Sequence, residues 1–469
     1  MEPAPSAAAP PPPPPRAPRI AIVGAGLAGL VCAHVLQRGG IACTLYEGAS
    51  RVGGRVLTAR DRWGGSAAVE LGGEFIDSGH RVLRHLAQDC GLALDDLVEL
   101  TAGLEAERWW FQGRLLSEAE IVRLFKPVAE RIVAALAREE DPAFFAEVDQ
   151  QSIIAWLEAN GADPLLVSLL DEAYTGEYGL PASEQSAWNL LWLIDAKQPQ
   201  PFRVYGDSDE RYHLRSGNDA LVKALSSRLG AEALRLQHRL TAVRARGDEL
   251  QLEFAVAGSA QTAVVDYAVL AIPFTTLREV ALEIELPAEQ RQMIAELGYG
   301  TNAKVIGAFR EPLWRTRHRA SGNFFADGGM QEFWDPGYGQ ALPGGMLTHF
   351  AGGATGLRMC EVSPEQWMRE RLALIDAVFP GAAAAYVPDQ AIAMHWPRVP
   401  WAKGSYACYR VGQARWSGSE GQRAGRVFFA GEHTSVDFQG YMEGAAESGW
   451  RAANEILADL GRSEVPLPA

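Results

Sequence analysis

The 469-residue chain carries a formal net charge of -15, with 48% hydrophobic and 22% charged residues, the balance of a soluble globular protein long enough for two or more domains. That acidity argues against nucleic acid or an anionic membrane as the main partner and mildly favours cationic ligands. No apolar run reaches the ~18 residues of a membrane-spanning helix. The five cysteines, an odd number without a C-x-x-C pair, offer neither a disulfide framework nor a zinc site and imply a reducing compartment.

Residues 1–18 hold a proline run that can extend but cannot bury a core. Lacking a basic n-region, an apolar h-region and a twin arginine, they read as a disordered tail on a cytoplasmic protein. An apolar β-branched strand at 20–23 follows, then Gly24, Gly26 and Gly29 in G-x-G-x-x-G spacing. The first glycine permits a tight turn, the second lets backbone approach a pyrophosphate, and the third lets helix and strand pack closely. A helix from Leu27 to about Gln37 aims its N-terminal N–H groups at that phosphate. Gly39 and Gly40 stop it, and residues 41–46 read as a second strand. Glu47 stands roughly 20 residues beyond the motif, where an acid can accept from a ribose hydroxyl. Strand, helix and acid in this order make a dinucleotide site, to which the run from Arg51 to Arg55 adds Gly53, Gly54 and two cations.

Residues 69–77 read as a strand, with Gly72 and Gly73 marking either a β-bulge or a close approach to something flat. Helical spacing of Val82, Leu83, Leu86 and Cys90 follows, and residues 109–201 are mostly helical, with a stripe at Ile121, Leu124, Val128, Ile132 and Leu136. An all-helical insertion after a βαβ opening suggests a separate substrate domain. Strands resume at 234–243, 250–256 and 264–272. The chain leaves again at Asn302, with a strand at 303–309 and a helix at 364–379, and returns with a strand at 427–430 and a last helix. Both domains are therefore discontinuous.

The run from Phe428 to Ala445 is a buried strand, then Gly431, the acid Glu432, and a glycine turn at Gly440 leading into a helix that begins near Met442. Such a helix N-terminus can stabilise negative charge developing on an electron-poor ring. With the Glu47 and Arg51–Arg55 segment, this A-G-E…G-Y-M-E-G-A run resembles the FAD-dependent amine oxidases of the monoamine oxidase and polyamine oxidase type, from Arg19 to about Ala453. The resemblance implies an α/β protein. Its Rossmann-like, GR2-type FAD-binding domain takes residues 19–100, 212–297 and 397–460, and its discontinuous α+β substrate-binding domain takes 101–211 and 298–396. It further implies that Glu47 and the arginine–glycine run wrap the adenosine ribose and pyrophosphate, that the Val243 backbone meets adenine, and that residues 271–273 turn near the cofactor. Glu432 would hold the ribityl chain, the Met442 amide would face the ring, and Trp396 would pack near it.

The resemblance matches Lys304 to a lysine that holds a water against flavin N5; the plain alternative is a solvent-facing lysine at a strand edge. Tyr406 and Tyr441 match two rings that flank the amine, strip its water and favour the neutral form needed for oxidation; the alternative is two core tyrosines. Covalent members carry a cysteine before the tyrosine, where this chain has Ser405, and a strand through this stretch would turn Cys408 away from Ser405. Noncovalent FAD is therefore expected. Asp77 is either a counter-charge for a distant ammonium or a cap on the helix near His80. The implied reaction is oxidation of a monoamine, diamine or polyamine to an imine and then an aldehyde, with O2 reduced to hydrogen peroxide. An L-amino acid is less favoured because Glu74, Phe75 and Asp77 stand where a carboxylate-binding arginine is usual. A carotenoid- or protoporphyrinogen-type desaturase and an inactive FAD-binding scaffold are the competing classes. No metal ligand set is evident, the nine histidines read as structural, and a homodimer is allowed but not specified.

Overall fold

A computed structural model describes residues 16–60, 62–63, 67–230 and 232–468. Most of the proline-rich tail, residues 1–15, lies outside the described residues; Arg16 is described and pairs with Asp266 at 2.8 Å. β1 (Ile20–Val23) is buried along its whole length because it is an inner strand of a parallel sheet covered on both faces, which is why it reads as a continuous apolar run. The sheet order is Val427–Phe429, Tyr267–Leu270, β1, β2 (Thr44–Tyr46), Leu234–Arg235, and every pairing is parallel. Four separated stretches of chain thus build one Rossmann-like sheet. α1 (Leu27–Arg38) is buried from Leu27 to Leu36, packed between the sheet and the Met442–Asp459 helix, whose Gly449 carries no side chain and so accepts the Ala28 carbonyl closely.

A second sheet is antiparallel across Ser259–Val265, Glu249–Val256 and Arg239–Arg246, with Ala281–Glu283 parallel at its edge. The third has seven strands in the order Tyr386–His395, Ala303–Phe309, Gly345–Ala351, Gln331–Trp334, Phe324–Ala326, Arg108–Phe111, Arg114–Leu116. It is packed by helices between residues 118 and 193 and by Pro364–Val378. The expected helical run from Trp109 therefore opens with a β-hairpin: Trp109 stacks on Phe325 at 4.2 Å, and this aromatic pairing across strands outweighs helical spacing. The segment expected as one strand over 69–77 is a strand only at Ala68–Glu70, and that over 234–243 is two, broken between Arg235 and Arg239. Among the described residues no helix is long and apolar enough to cross a membrane.

Candidate active site

A cavity of about 610 Å³ opens where the parallel sheet meets the seven-stranded one, lined by residues of both. Gly24, Glu47, Ala271 and Gly431 line it, and each follows the carboxyl end of a strand of the parallel sheet, the place where open α/β sheets hold their ligands. Gly24 has φ +104°, a conformation only glycine adopts without strain. A Cβ built on Gly26 would meet nothing within 4 Å and so would project into the cavity. Gly29 is off the wall; its Cβ would strike the Gly24 carbonyl, so its role is close packing. The second glycine run folds onto the first: Gly53 N–H donates to Ala25 O at 2.8 Å, and Gly53, Gly54, Arg51 and Arg55 all line the cavity. Glu47 accepts from the Ala25 and Ala49 N–H groups, both at 2.7 Å. Burial pushes its carboxyl above the usual range against those hydrogen bonds.

At the middle of the cavity Arg55 donates to Glu432 Oε1 at 2.8 Å and to the Ser405 carbonyl, while Glu432 Oε2 accepts from Gly440 N–H at 2.9 Å. Met442 opens the 18-residue helix Met442–Asp459 and lines the cavity, putting the positive end of that helix dipole there. Gly72 and Gly73 also line it, but the space their side chains would need is taken by the Arg55 backbone and the Met442 side chain. Trp396 is buried beside them and donates to Leu71 O at 3.1 Å. Lys304 is 4% exposed and sits inside its sheet between two neighbouring strands. Its Nζ donates to Glu74 Oε2 at 2.7 Å and to Gly72 O at 2.9 Å, and lies over the Trp334 ring at 5.0 Å. A solvent-facing lysine at a strand edge is thereby overturned: register places it inward, and Glu74 compensates the buried charge.

Beyond Lys304 the wall turns aromatic and acidic. Tyr406 and Tyr441 both line the cavity, and both hydroxyls end on Glu177, Tyr406 on its carbonyl and Tyr441 on its carboxylate at 3.1 Å. The register aligns Lys304 with Phe350 and Phe350 with Glu332, so Glu332 faces the same cavity two strand spacings, roughly 10 Å, from Lys304. Glu210 has φ +45° and gives its N–H to Asp77 Oδ1 at 2.9 Å. Burial first, and then repulsion from Glu332 for Glu210 and from Glu177 for Glu332, push these two carboxyls well above the usual range. Burial raises Glu177 to about 7. Asp77 does not cap the helix Arg81–Asp89: the cap position is His80, without a side-chain bond, and the Val82 and Leu83 N–H groups go to Glu443 at 2.7 and 2.8 Å.

Sequence reading missed Glu177, Glu210 and Glu332. Glu332 left a trace, an acid in the strand Gln331–Trp334, in which all four residues are buried. Val243 is misplaced as an adenine contact: it lies in register with Leu252 and Leu282, fully buried in the second sheet, and the cavity wall there is His238, Arg239 and Leu240. Residues 405–408 form an irregular loop rather than a strand. Cys408 still points away, with Asn189 Nδ2 at 3.5 Å from its sulfur, and among the described residues no cysteine is on the cavity wall.

A cavity with a glycine cradle, Arg51 and Arg55, the buried acids Glu47 and Glu432, and helix N-termini on its wall suits a dinucleotide, and a flavin nucleotide fits the residues present. The profile of flavin containing amine oxidoreductases matches residues 27–457. The chain belongs to the flavin-containing amine oxidoreductase family. It is 25% identical to a Mus musculus L-amino-acid oxidase over 95% of its length and 72% of that protein. It is 28% identical to Lysine-specific histone demethylase 1 homolog 2 of Oryza sativa subsp. japonica over 94% of its length, but spans only 57% of that protein. A triple mutant of putrescine oxidase superposes with a TM-score of 0.81 at 21% identity, covering 94% of this chain and 99% of that one. Membership makes this a flavin-dependent oxidoreductase acting on amines, with an α/β fold.

Proposed function

We propose that this amine oxidoreductase binds FAD noncovalently and oxidises the carbon next to nitrogen in a diamine or polyamine, in a cytoplasmic setting. The observation that carries the reading is the continuity of one cavity from the Gly24–Gly29 turn to the two tyrosines and on to Asp77, Glu177, Glu210 and Glu332. Glu47, Arg51 and Arg55 hold the adenosine and pyrophosphate, Glu432 the ribityl chain, and the Met442 N–H end the ring edge. A bound flavin would supply the acceptor for the hydride of that C–H bond, which carries both electrons; O2 would take them up to give hydrogen peroxide, and water would convert the imine to an aldehyde. Lys304 keeps a compensated positive charge beside the wall of Gly72 and Trp396. Tyr406 and Tyr441 flank the reacting amine and exclude water, which favours its neutral form.

The acidic end selects the substrate. A second ammonium there would gain charge-assisted hydrogen bonds of ~1.5 to 3 kcal/mol each. A carboxylate would find no free counter-ion there, because the one cation lining that end among the described residues, Lys304, is already held by Glu74. This disfavours an α-amino acid, despite the mouse relative. Noncovalent FAD is supported by Ser405 and by the absence of cysteine from the wall; flavin that stays with acid-precipitated protein would sink it. The deciding experiment is anaerobic mixing of the yellow protein with monoamines, diamines, polyamines and L-amino acids. Bleaching fastest with diamines or polyamines is expected, and no bleaching by any amine refutes the reading.

A further inference from the structure

The geometry points to Glu177 as the residue that positions both aromatic walls of the amine site, an inference that rests on the amine-oxidising reading above. Tyr406 comes from the 405–408 loop and Tyr441 from the turn before the last helix. Neither belongs to the helical layer over the seven-stranded sheet, yet each hydroxyl ends on this one residue of it. The contact with Tyr406 answers a need of the helix itself. Pro164–Tyr178 ends at Gly179, φ +76°, and the carbonyls of its last turn have no partner within the helix. Thr175 O takes the Gly179 N–H at 3.0 Å, Gly176 O takes Asn302 Nδ2 at 2.5 Å, and Glu177 O takes the Tyr406 hydroxyl. The tyrosine is a helix cap as well as a cavity wall.

The platform beneath is continuous. Gly179 O accepts from Thr301 N–H at 2.8 Å, Gly300 N–H donates to Tyr406 O at 2.9 Å, and Ser405 Oγ donates to Asn302 Oδ1 at 2.5 Å. Helix end, strand start and loop are thereby linked, and the Glu177 carboxylate ties the Tyr441 ring itself to them. The groups acting on that carboxylate are Tyr441, which donates to it, and Asp77, which repels it; Glu210 and Glu332, whose own carboxyls burial pushes well above the usual range, line the same cavity. The carboxylate is a positioning group: it fixes the angle of the Tyr441 ring against the amine, while Tyr406 keeps its carbonyl contact whatever the side chain.

The test compares Glu177→Ala, Glu177→Gln and Tyr441→Phe as flavin-loaded proteins, in single-turnover reduction by the amine that bleaches wild type fastest. Glu177→Ala is expected to keep its FAD content and to lower the limiting reduction rate at least about tenfold, the worth of one charge-assisted hydrogen bond. Glu177→Gln is expected to recover to within about threefold, because its amide oxygen still accepts from Tyr441. Tyr441→Phe should match Glu177→Ala, and the double variant should be no slower than either, since both remove one interaction. A Glu177→Ala protein as fast as wild type, a Glu177→Gln protein as slow as Glu177→Ala, or a Tyr441→Phe protein with wild-type rates overturns the assignment. Wild type that no amine bleaches overturns the functional reading and the positioning role with it, and the wild-type control alone identifies that case.

Discussion

Lys304 shows how strand register can bury a charge together with its counter-ion. It is buried with Glu74 as its counter-ion, and Glu74 also accepts from Trp334 Nε1 at 3.0 Å. Lys304→Met leaves that carboxylate without its cation, so unfolding free energy should fall by roughly 3 to 5 kcal/mol, the usual result of breaking a buried pair. Lys304→Met combined with Glu74→Gln should recover part of it; a double variant less stable than the single would refute the pairing, as read by denaturant titration. Replacing Tyr406 and Tyr441 together by alanine should cut amine turnover while FAD stays bound, because neither ring is part of the nucleotide turn. Unchanged kinetics would remove the aromatic sandwich from the mechanism. The raised carboxyls of Glu210 and Glu332 hold protons in the ligand-free cavity, and a cationic end binds their ionised forms. Affinity for a diamine below its own pKa should therefore tighten as pH rises, with uptake releasing protons measurable in weakly buffered solution; affinity that weakens over that range would exclude these acids as the subsite.

Among the elements, the helix Arg81–Asp89 depends on another helix for its start. It has no side-chain cap of its own, and Glu443, in the first turn of Met442–Asp459, supplies both carboxylate oxygens to its N–H groups. Glu443→Ala should cost about 1 to 3 kcal/mol, the penalty for buried donors left without an acceptor, and should speed amide exchange at Val82 and Leu83. Exchange unchanged at those two positions would show that the cap carries no load. The helices were legible because their apolar spacing is a local property: Ile121, Val128 and Ile132 are all buried in Glu118–Leu136. The short strands were less legible. Three-residue pieces such as Thr58–Arg60 and Ala68–Glu70 are strands because of their partners, not because of an alternating pattern.

For the molecule as a whole, burial of acids and histidines sets the pH response of the ligand-free protein. Burial holds Glu70 and Glu107 at about 8 and Glu172, Glu420 and Glu443 at about 7. Folded values above the ordinary 4.5 mean that the native state binds the extra protons from pH 4.5 up to those values, so stability falls as pH rises through that window. His80 at about 4 and His349 and His433 at about 3 lie below the ordinary 6.5, so the unfolded chain binds more protons below pH 6.5 and stability rises with pH there. The slopes oppose each other up to pH 6.5, and above it only the carboxyl slope remains. Calorimetry on flavin-free protein should show the melting temperature falling from pH 6.5 to 8; a rise would mean that these acids are already ionised in the native state.

The sequence by itself determined the glycine turn at one end of the cavity. Gly24, Gly26 and Gly29 act through backbone sterics confined to one strand–turn–helix unit, and such a unit looks the same in any fold that contains it. The positions of Glu432, Met442, Tyr406 and Tyr441 came from the family resemblance, and the cavity gathers them. The tertiary structure alone decided what surrounds the acidic end of the cavity. Glu74 reaches Lys304 across 230 positions of chain and Glu177 reaches Tyr441 across 264, and Glu332 faces the cavity through cross-strand register. An acid's environment is set by which strands pair and where a helix ends, and no periodicity or spacing along the chain records either.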